Sequence, residues 1–176
     1  DTELLKIKRN RALKSAQEDF VHLFAIDDVK DRLSEINKSF YFPAVIGFNA
    51  KFWAEELNLV NPEIVEDNDL LGLKPNNYDL VIHAMCLHWH NDPVGQLIQI
   101  RKSLKPDGLV FAFLYGGRTL HELRSVFKRV DKFMGSKPAC RVAPMSDIKD
   151  LGSILSRAGL ALTVADSNQL VATYES

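Results

Sequence analysis

Side chains that can donate, accept or coordinate gather where short apolar runs of this sequence end. One such run covers 78–82 and another covers 64–65. The candidates that follow these runs are His83, His88, His90 and Asp67. In an open α/β sheet, ligands bind at the carboxyl ends of the strands, near the point where the strand order switches. The spacing therefore predicts one ligand site built from loop tips that are far apart along the chain.

Two other kinds of chemistry are conceivable for these residues. His83, Cys86, His88 and His90 all carry side chains that can bind a metal. A zinc site built from one short strand end usually takes further ligands from elsewhere, and none is evident, so we expect no metal. Cys86 reads as a small apolar core residue. No acid–base pair or nucleophile stands out, and the sequence names no catalytic residue.

Length and composition limit the class of protein. The chain has 176 residues, 46% hydrophobic and 26% charged, with a formal net charge of −1. These values predict one globular domain and argue against disorder and against nucleic acid as a partner. No apolar run reaches the roughly 20 residues of a transmembrane helix. Two cysteines fit a reducing, cytoplasmic location, and an opening at Asp1 without Met fits a missing start.

The N-terminal segment 1–38 reads as a helical cap on a core at 39–176. Residues 2–24 carry apolar side chains at helical spacing, with Lys and Arg on the other face. This helix either covers one side of the domain or lies on an anionic membrane surface. A second helix is predicted over 27–37.

In the core, strands and helices alternate. The predicted strands are 43–46, 64–65, 78–84 and 109–114, and the predicted helices are 51–57, 93–104, 119–133 and 146–158. Residues 105–108 (KPDG) are predicted as a turn. At the C-terminus, 160–165 and 169–174 read as two strands of a hairpin joined by 166–168. The order predicts an α/β sandwich, with a mostly parallel sheet and a C-terminal antiparallel hairpin.

Several motifs along the chain match one known family. They are DNDLLGLKPNNYDLV at 67–81, LHW at 87–89, QIRKSLKPDG at 99–108, GGRTLHELR at 116–124 and DIKDLGSILSRAGLALTVAD at 147–166. In this order and spacing they resemble the class I S-adenosylmethionine-dependent methyltransferases. The similar subgroup contains the malonyl-carrier-protein methyltransferase of biotin synthesis and the mitochondrial complex I assembly methyltransferase-like proteins. The resemblance implies a Rossmann-like fold and S-adenosylmethionine as cofactor.

The resemblance assigns cofactor-binding roles by position. Asp67 falls on the acid that accepts a hydrogen bond from the adenine amino group, and Asn68 would offer its backbone N–H. His83 and Ala84 fall where the backbone lines the methionine side of the cofactor. From the residues alone, the segment around Asp67 is equally well read as a solvated acidic turn.

The resemblance also implies a substrate pocket. His88 and Trp89 belong to the LHW motif, at the mouth through which a substrate enters, and Trp89 would exclude water there. Gly116 and Gly117 would let the chain turn sharply beside the site. The alternative for Trp89 is simple packing under the following helix.

The first strand departs from the family pattern. The family has an acid followed by a glycine-rich turn, but Val45 stands in the place of the acid and only Gly47 remains of the glycines. In addition, the 19 residues 48–66 are too few for a helix, a full second strand and another helix. The acid that holds the ribose is expected on that second strand. Either one βα unit is lost or residues are absent from this chain.

Two functions follow from these observations. The first is S-adenosylmethionine-dependent methyl transfer to an O or N atom of a small or carrier-protein-bound substrate. An acceptor that carries a carboxylate would need a nearby cation, for which Arg118, Arg124 and Arg141 are candidates. The alternative is a non-catalytic assembly or interaction protein with a degenerate cofactor site and a protein partner. The hydroxylase-type activity attributed to the mitochondrial relative stays open.

Overall fold

The computed structural model describes residues 2–12, 19–137, 139–143 and 145–173. Four strands are present in this part of the chain: β1 (Pro43–Ile46), β2 (Glu63–Val65), β3 (Tyr78–His83) and β4 (Leu104–Ala112). The helices are α1 (Thr2–Ala12), α2 (Phe20–Glu35), α3 (Ala50–Glu56), α4 (Pro93–Ser103), α5 (His121–Phe133) and α6 (Ile148–Arg157), with a short 3₁₀ turn at Leu87–Trp89.

The four strands form one sheet in the order β2-β1-β3-β4, and every neighbouring pair is parallel. Val45 lies opposite Ile64 of β2 on one side and Ile82 of β3 on the other. The predicted α/β fold with a parallel sheet is therefore confirmed.

Burial on both faces explains why the strands read as continuous apolar runs. All four residues of β1 are buried. On one face, Val45 and Leu80 pack with Ile26 of α2 and Trp53 of α3. On the other face, Ile46 packs in a cluster with Leu97 of α4. The sheet is thus the middle layer between helices, which is what the alternation of elements predicted.

The strand order reverses at β1. From β1 the chain crosses to β2 on one side, and it then returns to β3 on the other. This makes the carboxyl ends of β1 and β3, at Ile46 and His83, the switch point at which such sheets bind ligands.

Helix boundaries differ from the expected ones near the N-terminus. Helix α2 begins at Phe20 rather than at residue 27, and residues 13–18 of the predicted first helix lie outside the described part of the chain. None of the described helices is long and apolar enough to cross a membrane.

The KPDG turn interrupts the pairing of β4. Tyr78 of β3 pairs with Leu104, and Leu80 pairs with Leu109, so residues 105–108 form an extra loop within the strand. Asp107 adopts a φ of +62°, which suits the predicted turn. Strand β4 therefore begins five residues earlier than the run 109–114 indicated, on the far side of the turn.

The predicted C-terminal hairpin is wrong for the described residues, because 160–173 contain no strand. The alternating apolar side chains are exposed instead: Leu162 is 99% and Val164 is 78% accessible. Alternation creates an apolar face, but an isolated hairpin is at best marginally stable in water unless that face is packed. The last residue of the second predicted strand, Tyr174, lies outside the described residues.

Candidate functional site

The carboxyl edge of the sheet brings together the acid and the histidines that the sequence selected. Asp67 follows β2, His83 ends β3, and His90 follows the 3₁₀ turn. His90 Nε2 lies 3.7 Å from Asp67 Oδ2, and the rings of His83 and His90 meet edge to face with centroids 6.2 Å apart. The prediction that these loop tips converge is confirmed by these contacts. We call Asp67, Arg9, His83, His88 and His90 the Asp67 cluster.

Arg9 of α1 is the cation of this cluster. Its Nη1 atom donates to both carboxylate oxygens of Asp67, at 3.0 and 2.8 Å. Both side chains are largely buried, with 14% of Arg9 and 8% of Asp67 accessible. The guanidinium also lies 5.0 Å from the centroid of the Phe48 ring, in cation–π geometry. Asp67 is therefore a paired, buried carboxylate and not a solvated turn residue.

Gln96 of α4 links the histidines to the segment after β2. Its amide oxygen lies 3.3 Å from His83 Nε2, and its amide nitrogen donates to the carbonyl of Asn68 at 2.6 Å. The backbone N–H of Asn68 donates to the carbonyl of Glu66 at 2.9 Å. Both backbone groups of Asn68 are thus engaged within the chain, including the N–H assigned to adenine. A small cleft of about 300 Å³ opens beside Gln96, lined also by Asp69 and Asp92.

His88 differs from the other histidines of the cluster, because neither of its buried ring nitrogens has a hydrogen-bond partner. Its ring lies between Trp89 and Tyr115, with centroids 5.0 and 5.1 Å away. Trp89 is 47% exposed, in agreement with a place at a mouth rather than under a helix. Tyr115 directly precedes Gly116 and Gly117, so the predicted substrate-pocket residues lie near one another.

Burial and charge set the protonation of the cluster. Burial lowers the pKa of both His83 and His88 to about 4, and the charge of Arg9 adds to the effect at His88. Burial by itself would raise the pKa of Asp67, but its interactions with His90 and Arg9 outweigh this, and the pKa is lowered. At neutral pH the site therefore holds a carboxylate and two neutral imidazoles, each with one donor and one acceptor.

Cys86 and the metal alternative can be judged on the same geometry. Burial raises the pKa of the Cys86 thiol to about 12, so this side chain is a protonated core residue and no nucleophile. Among the described residues, no group of three or more His, Cys, Asp and Glu side chains is arranged to hold a metal ion.

Gly47, at the glycine end of the predicted site, lies close to the backbone of Ala84. Gly47 adopts a φ of +148°, and a Cβ atom there would lie 2.9 Å from the carbonyl oxygen of Ala84. Ala84 and His83 are fully buried, and the N–H of Ala84 donates to Ile46 at 2.8 Å. Glycine is needed at this position because β1 and β3 approach each other closely.

The segment 48–66 was expected to be too short for two helices and a full strand, and the structure shows what it contains. Strand β2 pairs directly with β1, from Ala44 opposite Glu63 to Ile46 opposite Val65. Residues 47–67 are all described, and they contain α3 and β2 but no further strand. Between β1 and Asp67 the chain therefore has a single helix and a single three-residue strand, which agrees with the expected loss of one βα unit.

The three arginines proposed as substrate cations lie outside the cluster contacts. Arg118 is exposed, and Arg124 donates weakly to the carbonyls of Thr119 and Ala143. Arg141 pairs with Asp131 at 2.6 Å. The buried cation, Arg9, was not selected from the sequence. Its basic helix was visible as a pattern, but no signal linked it to a carboxylate 58 residues away.

The residues fit S-adenosylmethionine at one end only. Asp67 is a carboxylate of the kind that accepts from an amino group, and the unpartnered nitrogens of His88 can bond to a ligand. At the other end, Val45 replaces the acid and Gly47 packs against Ala84. We therefore assign no methyl-transfer step to individual residues.

Comparisons with known proteins give the ancestry. A family model described as a methyltransferase domain matches residues 45–112. The human mitochondrial arginine-hydroxylase NDUFAF5 is 32% identical over 134 residues, which are 76% of this chain and 39% of that protein. Malonyl-[acyl-carrier protein] O-methyltransferase from Gallionella capsiferriformans is 32% identical over 112 residues, covering 64% of this chain and 37% of the relative. The chain thus spans about two fifths of the length of these curated relatives.

Solved structures agree on the fold. A SAM-dependent methyltransferase from Aquifex aeolicus matches 86% of this chain and 87% of its own, with a TM-score of 0.51 and 16% identity. The YcgJ protein of Bacillus subtilis matches 77% of this chain and 68% of its own, with a TM-score of 0.50 and 12% identity. Together with the parallel sheet, these structures show a methyltransferase-type α/β fold, and residues 45–112 match the methyltransferase-domain family model.

Proposed function

We propose that this chain binds an S-adenosyl nucleoside at the Asp67 cluster and acts as a methyltransferase on an O or N atom of a small or carrier-bound acceptor. The observation that carries the proposal is the buried Asp67 carboxylate at the carboxyl edge, beside a histidine whose two ring nitrogens have no partner. Buried polar atoms without partners are costly, at about 1–3 kcal/mol each, and a bound ligand would relieve that cost.

The names of the relatives support the acceptor class. One relative is a malonyl-[acyl-carrier protein] O-methyltransferase, whose acceptor is presented on a carrier protein. The half-exposed Trp89 and the unpartnered His88 provide an aromatic, hydrogen-bonding mouth that such a carried group could enter. We therefore favour a carrier-bound acceptor over a free metabolite, and a carrier protein as partner.

A titration of S-adenosylhomocysteine into the full chain tests the nucleoside site. We expect measurable heat in the wild-type protein and at least about tenfold weaker binding in Asp67→Ala, because a hydrogen bond to a charged group is worth about 1.5–3 kcal/mol. Asp31→Ala is the matched control, since Asp31 is exposed on α2, outside the Asp67 cluster. Equal binding by the two variants would contradict the role of Asp67.

A second candidate function is a non-catalytic interaction protein on the same fold. It is favoured by the departure from the family's glycine-rich pattern, in which Val45 stands in the place of the acid and only Gly47 remains of the glycines. This candidate predicts no heat with S-adenosylhomocysteine or S-adenosylmethionine at millimolar concentration, in the wild-type protein and in variants that open the cluster.

A further inference from the structure

Helix α1 reaches the proposed nucleoside site through one side chain. The Arg9 guanidinium contacts both oxygens of Asp67 and covers the ring of Phe48, so it fills the space between them. Two large apolar side chains of α1 are exposed, since Ile7 is 63% and Leu4 is 48% accessible, whereas Leu5 is partly buried like Arg9. Arg9 is therefore a main anchor of α1 on the core.

The contact is incomplete, which limits its strength. Arg9 Nη2 is buried but has no hydrogen-bond partner, although Nη1 donates twice. A buried donor without a partner costs about 1–3 kcal/mol, and desolvation of the two charges reduces the gain from their attraction. A pair with this balance can be displaced by a ligand that satisfies Asp67 equally well.

The two partners of Asp67 exclude each other. Its carboxylate is 8% accessible, and both oxygens already accept from Arg9. Because the carboxylate is only 8% accessible with Arg9 in place, an amino group of a nucleoside base gains access to these oxygens by displacing the guanidinium. We propose that Arg9 is a built-in competitor that holds α1 over the nucleoside site, and that ligand binding at Asp67 releases α1.

This inference rests on the proposed function, and binding measurements on three chains test it. S-adenosylhomocysteine is titrated into wild-type protein, Arg9→Ala and Arg11→Ala. Arg11 lies on the same helix and is exposed, so its variant has the same charge change without loss of the contact. If the open form is about a tenth of the population, Arg9→Ala binds about tenfold more tightly, and Arg11→Ala binds like wild type.

A second variant and a second readout cover a folding defect in Arg9→Ala. Arg9→Lys keeps the charge but loses the paired donor geometry, so its affinity should lie between those of wild type and Arg9→Ala. Because coupling is reciprocal, adding the ligand to wild-type protein should speed amide hydrogen exchange in residues 2–12. Circular dichroism confirms that each variant is folded before titration.

The outcomes separate the two proposals. Equal affinity in wild type and Arg9→Ala, or weaker binding in Arg9→Ala, overturns the competitor role and leaves nucleoside binding standing. No binding by any folded chain overturns nucleoside binding and the competitor role together. Tighter binding by Arg9→Ala with unchanged exchange in residues 2–12 overturns the release of α1.

Discussion

In most proteins apolar side chains are buried and polar side chains are exposed. The Asp67 cluster departs from this by burying polar groups, and the C-terminal region, residues 113–173, departs from it by exposing apolar ones. In the cluster, charged and polar side chains are buried, and some of their atoms have no partner. In the C-terminal region, large apolar side chains are exposed: Phe133 of α5 is 93% accessible and Leu162 is 99% accessible.

The difference shows where the chain's own packing energy lies. The apolar side chains of β1 and β3 are buried between the sheet and its helices. The Asp67 cluster lies at the end of these buried strands. In the C-terminal region, Ile154 and Leu155 of α6 pack against the core, whereas the apolar side chains of α5 and of residues 162–171 include many that are exposed. A pattern of alternating or helical apolar residues stabilises an element only by the area that is removed from water.

The largest expected effect contrasts the same substitution in the two regions. Leu80→Ala, in the fully buried β3, should lower the free energy of unfolding by about 2–5 kcal/mol, since it leaves a cavity in the core. Leu162→Ala should change it by less than about 0.5 kcal/mol. Urea unfolding followed by circular dichroism measures both. A loss above about 1 kcal/mol for Leu162→Ala would show that the C-terminal region packs in solution.

The next effect concerns Gly47, which directly follows β1. Gly47→Ala should cost about 1–3 kcal/mol, because φ is +148° and the new Cβ would meet the carbonyl oxygen of Ala84 at 2.9 Å. Gly116→Ala is the control, since a Cβ there meets no atom within 4 Å. If both variants unfold at the same urea concentration, Gly47 and Ala84 are not in this close contact.

The fold was largely predictable because its strands are buried on both faces. Such strands appear in the sequence as apolar runs between turn residues, as at 43–46 and 78–83, and their order indicated a parallel sheet. The hairpin at 160–174 carried a similar local signal. Its formation depends on a partner surface, which no local pattern encodes, and for that reason the expectation failed over 160–173.

The site was predictable in part for a related reason. Asp67, His83 and His88 were selected because they follow strands, and the topology of a parallel sheet then brings strand ends together. The contact of Arg9 depends on where α1 lies, which is a tertiary property. Gly47 was selected as a cofactor-binding residue, and that role stays a prediction; the sequence did not show that the backbone of Ala84 lies close to it.

Acid should weaken the cluster before it affects the rest of the core. The pKa of His83 is lowered by burial from 6.5 to about 4, so the unfolded chain binds a proton more readily than the folded chain between these values. The contribution of His83 to stability is therefore constant above pH 6.5 and decreases as the pH falls toward 4, by about 1–3 kcal/mol.

The substitution His83→Gln tests whether His83 causes the loss of stability at acid pH. His83→Gln keeps a polar partner for Gln96 but does not titrate, so its unfolding free energy should fall less steeply between pH 6.5 and pH 4. His121→Gln, on the exposed start of α5, should keep the wild-type slope. Urea unfolding at several pH values measures both slopes. Identical slopes in wild type and His83→Gln would mean that His83 is already accessible to protons.

The smallest expected effect lies on α5, whose exposed apolar side chains include Val126, Val130 and Phe133. Because Phe133 is 93% accessible, Phe133→Ser should change the free energy of unfolding by less than about 0.5 kcal/mol. Exposed apolar patches promote association, so the same variant should scatter less light than wild type as concentration rises. Lys132→Ser, on the same helix, controls for the change in helix propensity. A large loss of stability in Phe133→Ser alone would show that α5 is packed in solution, and the contrast between the two regions would then be reduced to the segment after α6.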